Sequence, residues 1–330
     1  MSEIFHTNNA LLPMSKISGR PFGVMFHHFK GEGHPDGQGA MTASELEELI
    51  HFLGVENILT PSEWTLKVKA RTLESQHRCL TFDDNLKCQY DVAKKVLDKY
   101  NIKGFWFIYT SPYEGKLEHL EVFRYFRSVF YESVDDFYGE FFRRTAQVFP
   151  ELEMKKKFDQ FKPNLFYSYY ESCPFYSLKD WEFRYLRDHV LTTVQYVRLM
   201  NELMVSKGMD PYSLKDKLWM SEEEVQRLFS EGHWIGLHSH QHPTLLTSLT
   251  YEDQVYEYQK NSEWIERITG TKPKSVSHPC NSYDQRVLDL MEHMGIEIGF
   301  RAHLEEDEIK DSSLALPRQD HANLLIDMRT

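Results

Sequence analysis

Short apolar runs of strand length recur in the first and last thirds of the chain. They are Phe22–Phe26 (FGVMF), Arg78–Phe82 (RCLTF), Gly104–Tyr109 (GFWFIY), Trp234–Leu237 (WIGL), Lys274–Ser277 (KSVS), Ile296–Arg301 (IEIGFR) and Leu314–Pro317 (LALP). Runs this short and this apolar suit strands covered on both faces. Between them lie stretches of helical period, among them Ser44–Phe52, Asp91–Tyr100 and Thr250–Thr269, the last opening with Thr250 and Asp253 in capping-box spacing. Such alternation predicts an α/β fold, a distorted (β/α) barrel of about seven parallel strands.

The middle third has a different rhythm. From Leu117 the apolar residues fall at Leu120, Phe123, Phe126, Phe130, Val134, Phe137 and Phe141, and later at Val190, Val194, Val197 and Met204. Steps of three and four predict helices. Because strand-like runs resume afterwards, residues 111–219 are expected to be a helical insertion in one barrel domain spanning 1–330, with an independent helical domain as the rival reading. Aromatic side chains such as Phe126, Tyr131 and Tyr170 serve either as the insertion's own core or as a wall beside the site.

Composition narrows the function. The chain has 330 residues, 41% of them hydrophobic and 27% charged, as a soluble globular protein does. A net charge of −12 argues against a phosphate-backbone binder, so no nucleic-acid partner is expected. Met1 to Gly23 shows no basic stretch followed by an apolar run, and no segment approaches the ~18 apolar residues of a membrane span, so the expected location is cytoplasmic with no transmembrane segment. Cys79, Cys88, Cys173 and Cys280 lack CxxC spacing and read as free thiols. Nothing in the pattern sets an oligomeric state.

Three polar clusters end predicted strands, where barrel enzymes carry their chemistry. Thr81-Phe82-Asp83-Asp84 sets two carboxylates side by side, which repel unless a cation, a proton or a helix end accommodates them. The plainer role is an N-cap pair for the helix near Asp91. His238-Ser239-His240-Gln241-His242-Pro243 places His238 and His242 four apart in a loop between Gly236 and Pro243. Two His and one carboxylate make an open zinc site, though a run of histidines also occurs by accident on surfaces. Ser277-His278-Pro279-Cys280-Asn281-Ser282-Tyr283-Asp284 reads as a turn, or as a source of N–H groups for a developing oxyanion.

Taken in order, these clusters resemble the polysaccharide deacetylase family (carbohydrate esterase family 4). Phe22–Phe29 (FGVMFHHF), Leu80–Asp84 (LTFDD), Met220–Pro243 (MSEEEVQRLFSEGHWIGLHSHQHP), Ser277–Asp284 and Leu316–Arg318 (LPR) are similar to that family's motifs. The resemblance covers residues 20–110 and 220–320, and 111–219 has no recognised counterpart. It implies metal-dependent hydrolysis of the N-acyl amide of an amino sugar. Asp84, His238 and His242 would bind Zn2+ or another divalent transition metal, Asp83 would be the general base, Ser239 would brace the loop, and the Cys280 N–H would help hold the oxyanion. The expected partner is a small N-acylated amino-sugar substrate, nucleotide- or lipid-linked.

The sequence departs from the family at several points. Asn85 and Asn281 stand where Gly is usual, and Ser277 stands where many members have the arginine that orients the base. Arg318 is the candidate replacement. The acid that protonates the leaving amine is sought at His321, after LPR, or at His303. His27, His28, His278 and Pro279 are candidates for the pocket lining, with hydrogen-bonded structural roles as the alternative for the histidines. His240 belongs behind the ligands.

Two other functions fit parts of this pattern. A non-haem iron oxygenase also uses two His and one carboxylate, but usually with an HxD pair and a remote second His. A catalytically inactive barrel serving as a binding or scaffold protein would explain the missing Arg and Gly. Retention of both aspartates and both histidines argues against it. An HExxH zinc peptidase is excluded by the absence of that sequence.

Overall fold

The computed structural model describes residues 19–116, 118–168, 177–305 and 312–329. Leu117, Tyr170, Cys173 and most of the Met1 to Gly23 stretch lie outside the described residues. The chain divides into two compact units: Met1–Glu32, Met41–Thr110 and Met220–Thr330 form the first, and Gly33–Ala40 with Ser111–Trp219 the second.

The first unit is built on seven strands: β1 (Phe22–Phe26), β2 (Arg78–Phe82), β3 (Phe105–Ile108), β4 (Trp234–Leu237), β5 (Ser275–Ser277), β6 (Ile298–Phe300) and β7 (Arg318–Asp320). They pair in the order β6-β5-β4-β3-β2-β1-β7, parallel at every step. The predicted runs coincide with these strands except at the end. Leu314–Pro317 is not the last strand; Arg318–Asp320 is. The earlier residues close the barrel instead, through a bridge from Leu316 to Phe300 and hydrogen bonds from Gly299 N to Ser313 O and from Leu316 N to Gly299 O, each 2.8 Å. Gly299 makes this approach feasible, since a Cβ there would lie 2.1 Å from the Leu314 carbonyl oxygen.

Phe105, Phe107, Ile298, Phe300 and Cys79 come from strands that are not all neighbours yet form one buried cluster, closed by Leu59 and Trp64. Strands meeting across a closed sheet fill its interior in this way. Around the sheet run α1 (Ala43–Leu53), α2 (Pro61–Ala70) and α3 (Lys94–Tyr100), the last preceded by a wider turn at Gln89–Ala93. Thr42 and Glu45 form a reciprocal capping box at the start of α1.

In the second unit, α4 (His119–Phe130), α5 (Val134–Val148), α6 (Met154–Ser168), α7 (Leu178–Tyr185), α8 (Thr193–Ser206) and α9 (Lys215–Leu218) account for the middle third. The apolar period runs straight through residues 131–133, but the backbone does not. The Ser133 hydroxyl accepts from Asp136 N and starts a new helix. Phe123, Phe126, Phe137, Phe141, Phe183 and Tyr196 are buried, with ring centroids 5.0 Å apart for Phe141–Phe183 and 5.4 Å for Phe123–Tyr196. Phe126 and Tyr131 pack edge to face at 5.5 Å in this aromatic core. On α8 the buried face is Tyr196, Leu199, Met200, Leu203 and Met204, whereas Val194 is 78% exposed. Of the period read from the sequence there, Met204 alone is fully buried.

The first unit resumes with α10 (Glu222–Ser230), α11 (Tyr251–Thr269), α12 (Gln285–His293) and α13 (His321–Arg329). Thr250 caps α11 by accepting from Asp253 N at 3.2 Å, as its spacing predicts. Among the described residues no helix is long and apolar enough to cross a membrane.

Candidate active site

Sheet register gathers the polar clusters at one end of the barrel. Phe26 pairs with Phe82, so His27 and Asp83 leave neighbouring strands side by side, and Leu237 pairs with Val276, so His238 leaves β4 beside Ser277. All of these residues belong to the first unit. The loops that carry them bend through left-handed backbone: φ is 77° at Asp84, 58° at Asn85, 64° at Ser239, 55° at His242, 48° at Cys280 and 58° at Asn281. Asn tolerates this region better than most residues, which accounts for Asn85 and Asn281 standing where the resemblance leads one to expect Gly. The remaining four are strained, and such strain concentrates at functional sites.

Asp84, His238 and His242 come together, with one ligand atom from each lying within 4.8 Å of the others. Asp84 Oδ1 is 3.3 Å from His238 Nε2 and 3.3 Å from His242 Nε2. That oxygen is buried and, among the described residues, accepts no hydrogen bond. His238 Nδ1 lies 2.8 Å from Ser277 O, so Nδ1 carries the proton that is donated there, and in the neutral ring Nε2 keeps its lone pair toward Asp84. An orphaned carboxylate oxygen facing two imidazole nitrogens, one with its tautomer set from behind, fits a divalent cation. Burial pushes the Asp84 carboxyl up, but His242, His238 and His27 outweigh it and hold it far below the usual carboxylate range. Burial pushes His238 down, yet Asp83 and Asp84 more than reverse this.

Asp83 is held apart from that set. Arg318 Nη1 donates to Asp83 Oδ1 and Nη2 to Oδ2, both at 2.8 Å, and Ser277 Oγ donates to Oδ2 at 3.0 Å. Arg318 in turn is fixed by Arg301 O at 2.8 Å and Thr81 Oγ1 at 3.2 Å. Its stem crosses Gly23, where a Cβ would come within 3.2 Å of Arg318 Cγ. Burial raises the Asp83 carboxyl, but Arg318 and His238 outweigh it and leave the pKa lowered. Neither aspartate caps a helix; the residue before the wide turn at Gln89 is Cys88.

The other candidates sit at graded distances. His27 Nε2 is 3.9 Å from Asp84 Oδ2, with 29% of its side chain exposed. His28 stacks beside it, ring centroids 6.3 Å apart. His321 is buried against Phe26, with Nδ1 3.3 Å from Met25 O. His303 Nε2 pairs with Asn281 Nδ2 at 3.0 Å. His278 is buried with Nε2 on Leu314 O at 2.8 Å and its ring stacked on Tyr283, and burial lowers its pKa to about 4. Those contacts suit a structural histidine better than a pocket-lining one. Pro279 is buried and starts the short turn that sets Cys280, whose side chain is exposed.

A second group, Asp98, Glu231 and His233, also brings three ligand atoms together. Its cation is already present: Lys94 Nζ lies 2.6 Å from Asp98 and 2.7 Å from Glu231. His233 Nδ1 accepts from Gly104 N and Trp106 Nε1, each at 3.1 Å, so its ring proton is on Nε2 and no lone pair faces the carboxylates.

Two residues of α11 escape a reading based on strand-end clusters. Asn261 Oδ1 accepts from His238 N at 2.9 Å, and Glu257 accepts from His240 N and Gln241 N. The sequence does hold a signal, for Gln254, Glu257 and Asn261 are polar residues in phase with the buried face that includes Tyr258, Trp264 and Ile265. His240 sits between the two converging histidines in the chain, its Nδ1 2.9 Å from Thr110 Oγ1.

Residues 193–299 match the family described as polysaccharide deacetylase. The match takes in His238, His242 and the Pro279 turn and begins within the 111–219 stretch, for which no counterpart is expected from the motifs. None of the curated proteins matches this chain. Among solved structures, a Streptococcus pyogenes deacetylase, PplD, in complex with acetate aligns over 94% of this chain and 98% of its own, at 12% identity and a TM-score of 0.53. IcaB from Ammonifex degensii covers 94% and 97%, at 10% identity and 0.53. A de-N-acetylase from Aggregatibacter actinomycetemcomitans covers 94% and 97%, at 12% identity and 0.52. At such identities these are likenesses of fold. The segment that carries the histidine loop matches the polysaccharide deacetylase family, and the nearly closed parallel barrel around it is the fold this chain shares with solved deacetylases.

Proposed function

We propose that this protein hydrolyses the N-acyl amide, in the first instance N-acetyl, of an amino sugar. The observation that carries the reading is the division of labour between adjacent aspartates. Asp84 faces two imidazole nitrogens at 3.3 Å, while Asp83 beside it is pinned by Arg318. Asp84, His238 and His242 would hold a divalent metal, zinc by the chemistry of the donor set. When bound, that ion would polarise the amide carbonyl and lower the pKa of the attacking water, so that a weakly basic carboxylate suffices.

The chain's own residues supply the rest. Each carboxylate oxygen offers about two acceptor positions. Asp83 Oδ2 spends both, on Arg318 and Ser277, whereas among the described residues Oδ1 accepts from Arg318 alone. Asp83 Oδ1 is therefore the atom with room to take the proton of the attacking water. The Cys280 N–H, in its left-handed turn, is assigned to the developing oxyanion. Protonation of the leaving amine is assigned to His27, which stands 3.9 Å from Asp84, ahead of His321 and His303, which are tied to Met25 O and Asn281.

The test is acetate release by metal-loaded protein from a nucleotide-linked N-acetyl sugar, a lipid-linked one, and chitin oligomers, with metal content measured on the same samples. Release from a monomeric conjugate is the expected result, consistent with the small substrate predicted from the sequence. No release from any N-acylated sugar by protein carrying a full complement of metal would overturn the proposal.

A further inference from the structure

The loop from Leu237 to Pro243 has to bring two imidazoles to one carboxylate oxygen, and its backbone is not at rest. Ser239 and His242 sit at φ 64° and 55°, a region that costs side chains other than Gly and Asn about 1 kcal/mol or more each. Strained loops persist when their surroundings over-determine them. Here the surroundings are three fixed anchors. Asn261 receives His238 N at 2.9 Å, and Thr110 N donates to His240 O at 3.1 Å. The third anchor lies between the two histidines: Glu257 Oε2 accepts from His240 N at 2.9 Å and from Gln241 N at 2.7 Å, while Oε1 accepts from Gln241 Nε2 at 2.9 Å.

Glu257 is 3% exposed. Among the described residues no lysine, arginine or histidine forms an ion pair with it. Burying an unpaired carboxylate is costly, and here the compensation comes from N–H dipoles of the loop itself. Such charge-assisted bonds are stronger than neutral ones. They clamp the two peptide groups that link the Ser239 bend to the His242 bend. A glutamine could keep its carbonyl oxygen on the two backbone donors, but it would set its NH2 against Gln241 Nε2 and lose the negative charge that strengthens all three bonds.

We propose that Glu257 is a positioning residue that sets the metal affinity of the His238–His242 loop, acting through the backbone at His240 and Gln241. The proposal rests on the reading of Asp84, His238 and His242 as metal ligands.

The experiment is zinc titration of the apo protein against a competing chelator, for wild type, Glu257→Gln, Glu257→Asp and Glu263→Gln. Circular dichroism of each protein is recorded, together with the absorption spectrum of its cobalt(II) form. Glu263 lies on the exposed side of the same helix and controls for a change of charge. Loss of a residue that orients metal ligands typically weakens binding about 10- to 100-fold. Glu257→Gln should fall in that range with an unchanged circular dichroism spectrum and an altered cobalt spectrum. Glu257→Asp should recover part of the affinity, and Glu263→Gln should match wild type. If Glu257→Gln does not fold, Glu257→Asp decides: affinity below wild type supports the proposal and equal affinity overturns it. Wild-type zinc affinity in a folded Glu257→Gln protein likewise overturns it. A wild-type protein that takes up no zinc removes the ligand reading, and the proposal with it, and that outcome is recognisable because it appears before any variant is made.

Discussion

Arg318 reaches across β1 to grip Asp83 with both of its terminal nitrogens, 2.8 Å to Oδ1 and 2.8 Å to Oδ2, while Ser277 occupies the space beside them. The small serine and the absent Cβ of Gly23 together leave room for a guanidinium arriving from β7. The arginine that holds Asp83 thus comes from a different strand than the motif suggests. Both partners are almost fully buried, at 1% and 3% of their side-chain surface. Removing one partner of such a pair strands the other, at a cost of about 3–5 kcal/mol. Arg318→Met should lose stability on that scale in urea denaturation, and Asp83→Asn/Arg318→Met should recover part of it. An Arg318→Met protein as stable as wild type would show that the pair is not formed.

Asp83→Asn should separate chemistry from coordination. Removing a general base commonly costs about 10²–10⁴-fold in turnover. The variant should lose activity on that scale and retain its metal in elemental analysis. Loss of metal instead would mean that the roles of Asp83 and Asp84 are exchanged.

Metal content should follow the converging ligands. His238→Ala and His242→Ala should each lose both zinc and activity, and chelation of wild type should abolish activity reversibly. A His238→Ala/His242→Ala protein that still carries one ion per chain would exclude this site as the metal centre.

The three candidate acids can be ranked in a single experiment. His27→Ala should depress turnover severely with metal retained, whereas His303→Ala should act weakly and His321→Ala should act mainly on stability, because its ring packs on Phe26. A severe, metal-independent loss in His321→Ala with His27→Ala unaffected would return the acid to the end of β7.

His233 should make the fold sensitive to acid. Burial lowers its pKa to about 3, and its Nδ1 lone pair is spent on Gly104 N and Trp106 Nε1. Its folded value lies below the ordinary histidine value near 6.5, so the unfolded chain takes up the proton first. The stability from this residue is complete above pH ~6.5 and is lost as pH falls toward 3, roughly 3 kcal/mol of it by pH 4.5. His233→Gln, whose carbonyl can accept the same donors, should flatten the slope of unfolding free energy between pH 6.5 and 4.5. An unchanged slope would assign the acid sensitivity elsewhere.

The barrel was legible in the sequence because strands buried on both faces write themselves as short apolar runs, and capped helices carry local signals such as Thr250 with Asp253. The aspartate and histidine clusters were legible for the same reason: strand-end chemistry is contiguous. What depends on distant neighbours was not. The period through residues 131–133 gave no sign of the break at Ser133, and Val194 looked like Met204 until packing left one exposed and buried the other. Leu314–Pro317 has strand composition, yet its backbone bonds go to β6 to close the barrel, and Arg318 starts the strand that pairs with β1. Glu257 and Asn261 read as ordinary helix polars, because what they hold is the backbone of a loop well before them in the chain. Sequence alone determined which residue types could do the chemistry and the order in which strands would present them, since both are local properties. Only the tertiary structure decided which histidines face Asp84, which arginine holds Asp83 and which side chain accepts from the loop between His238 and His242, because each of those is a contact between segments far apart in the chain.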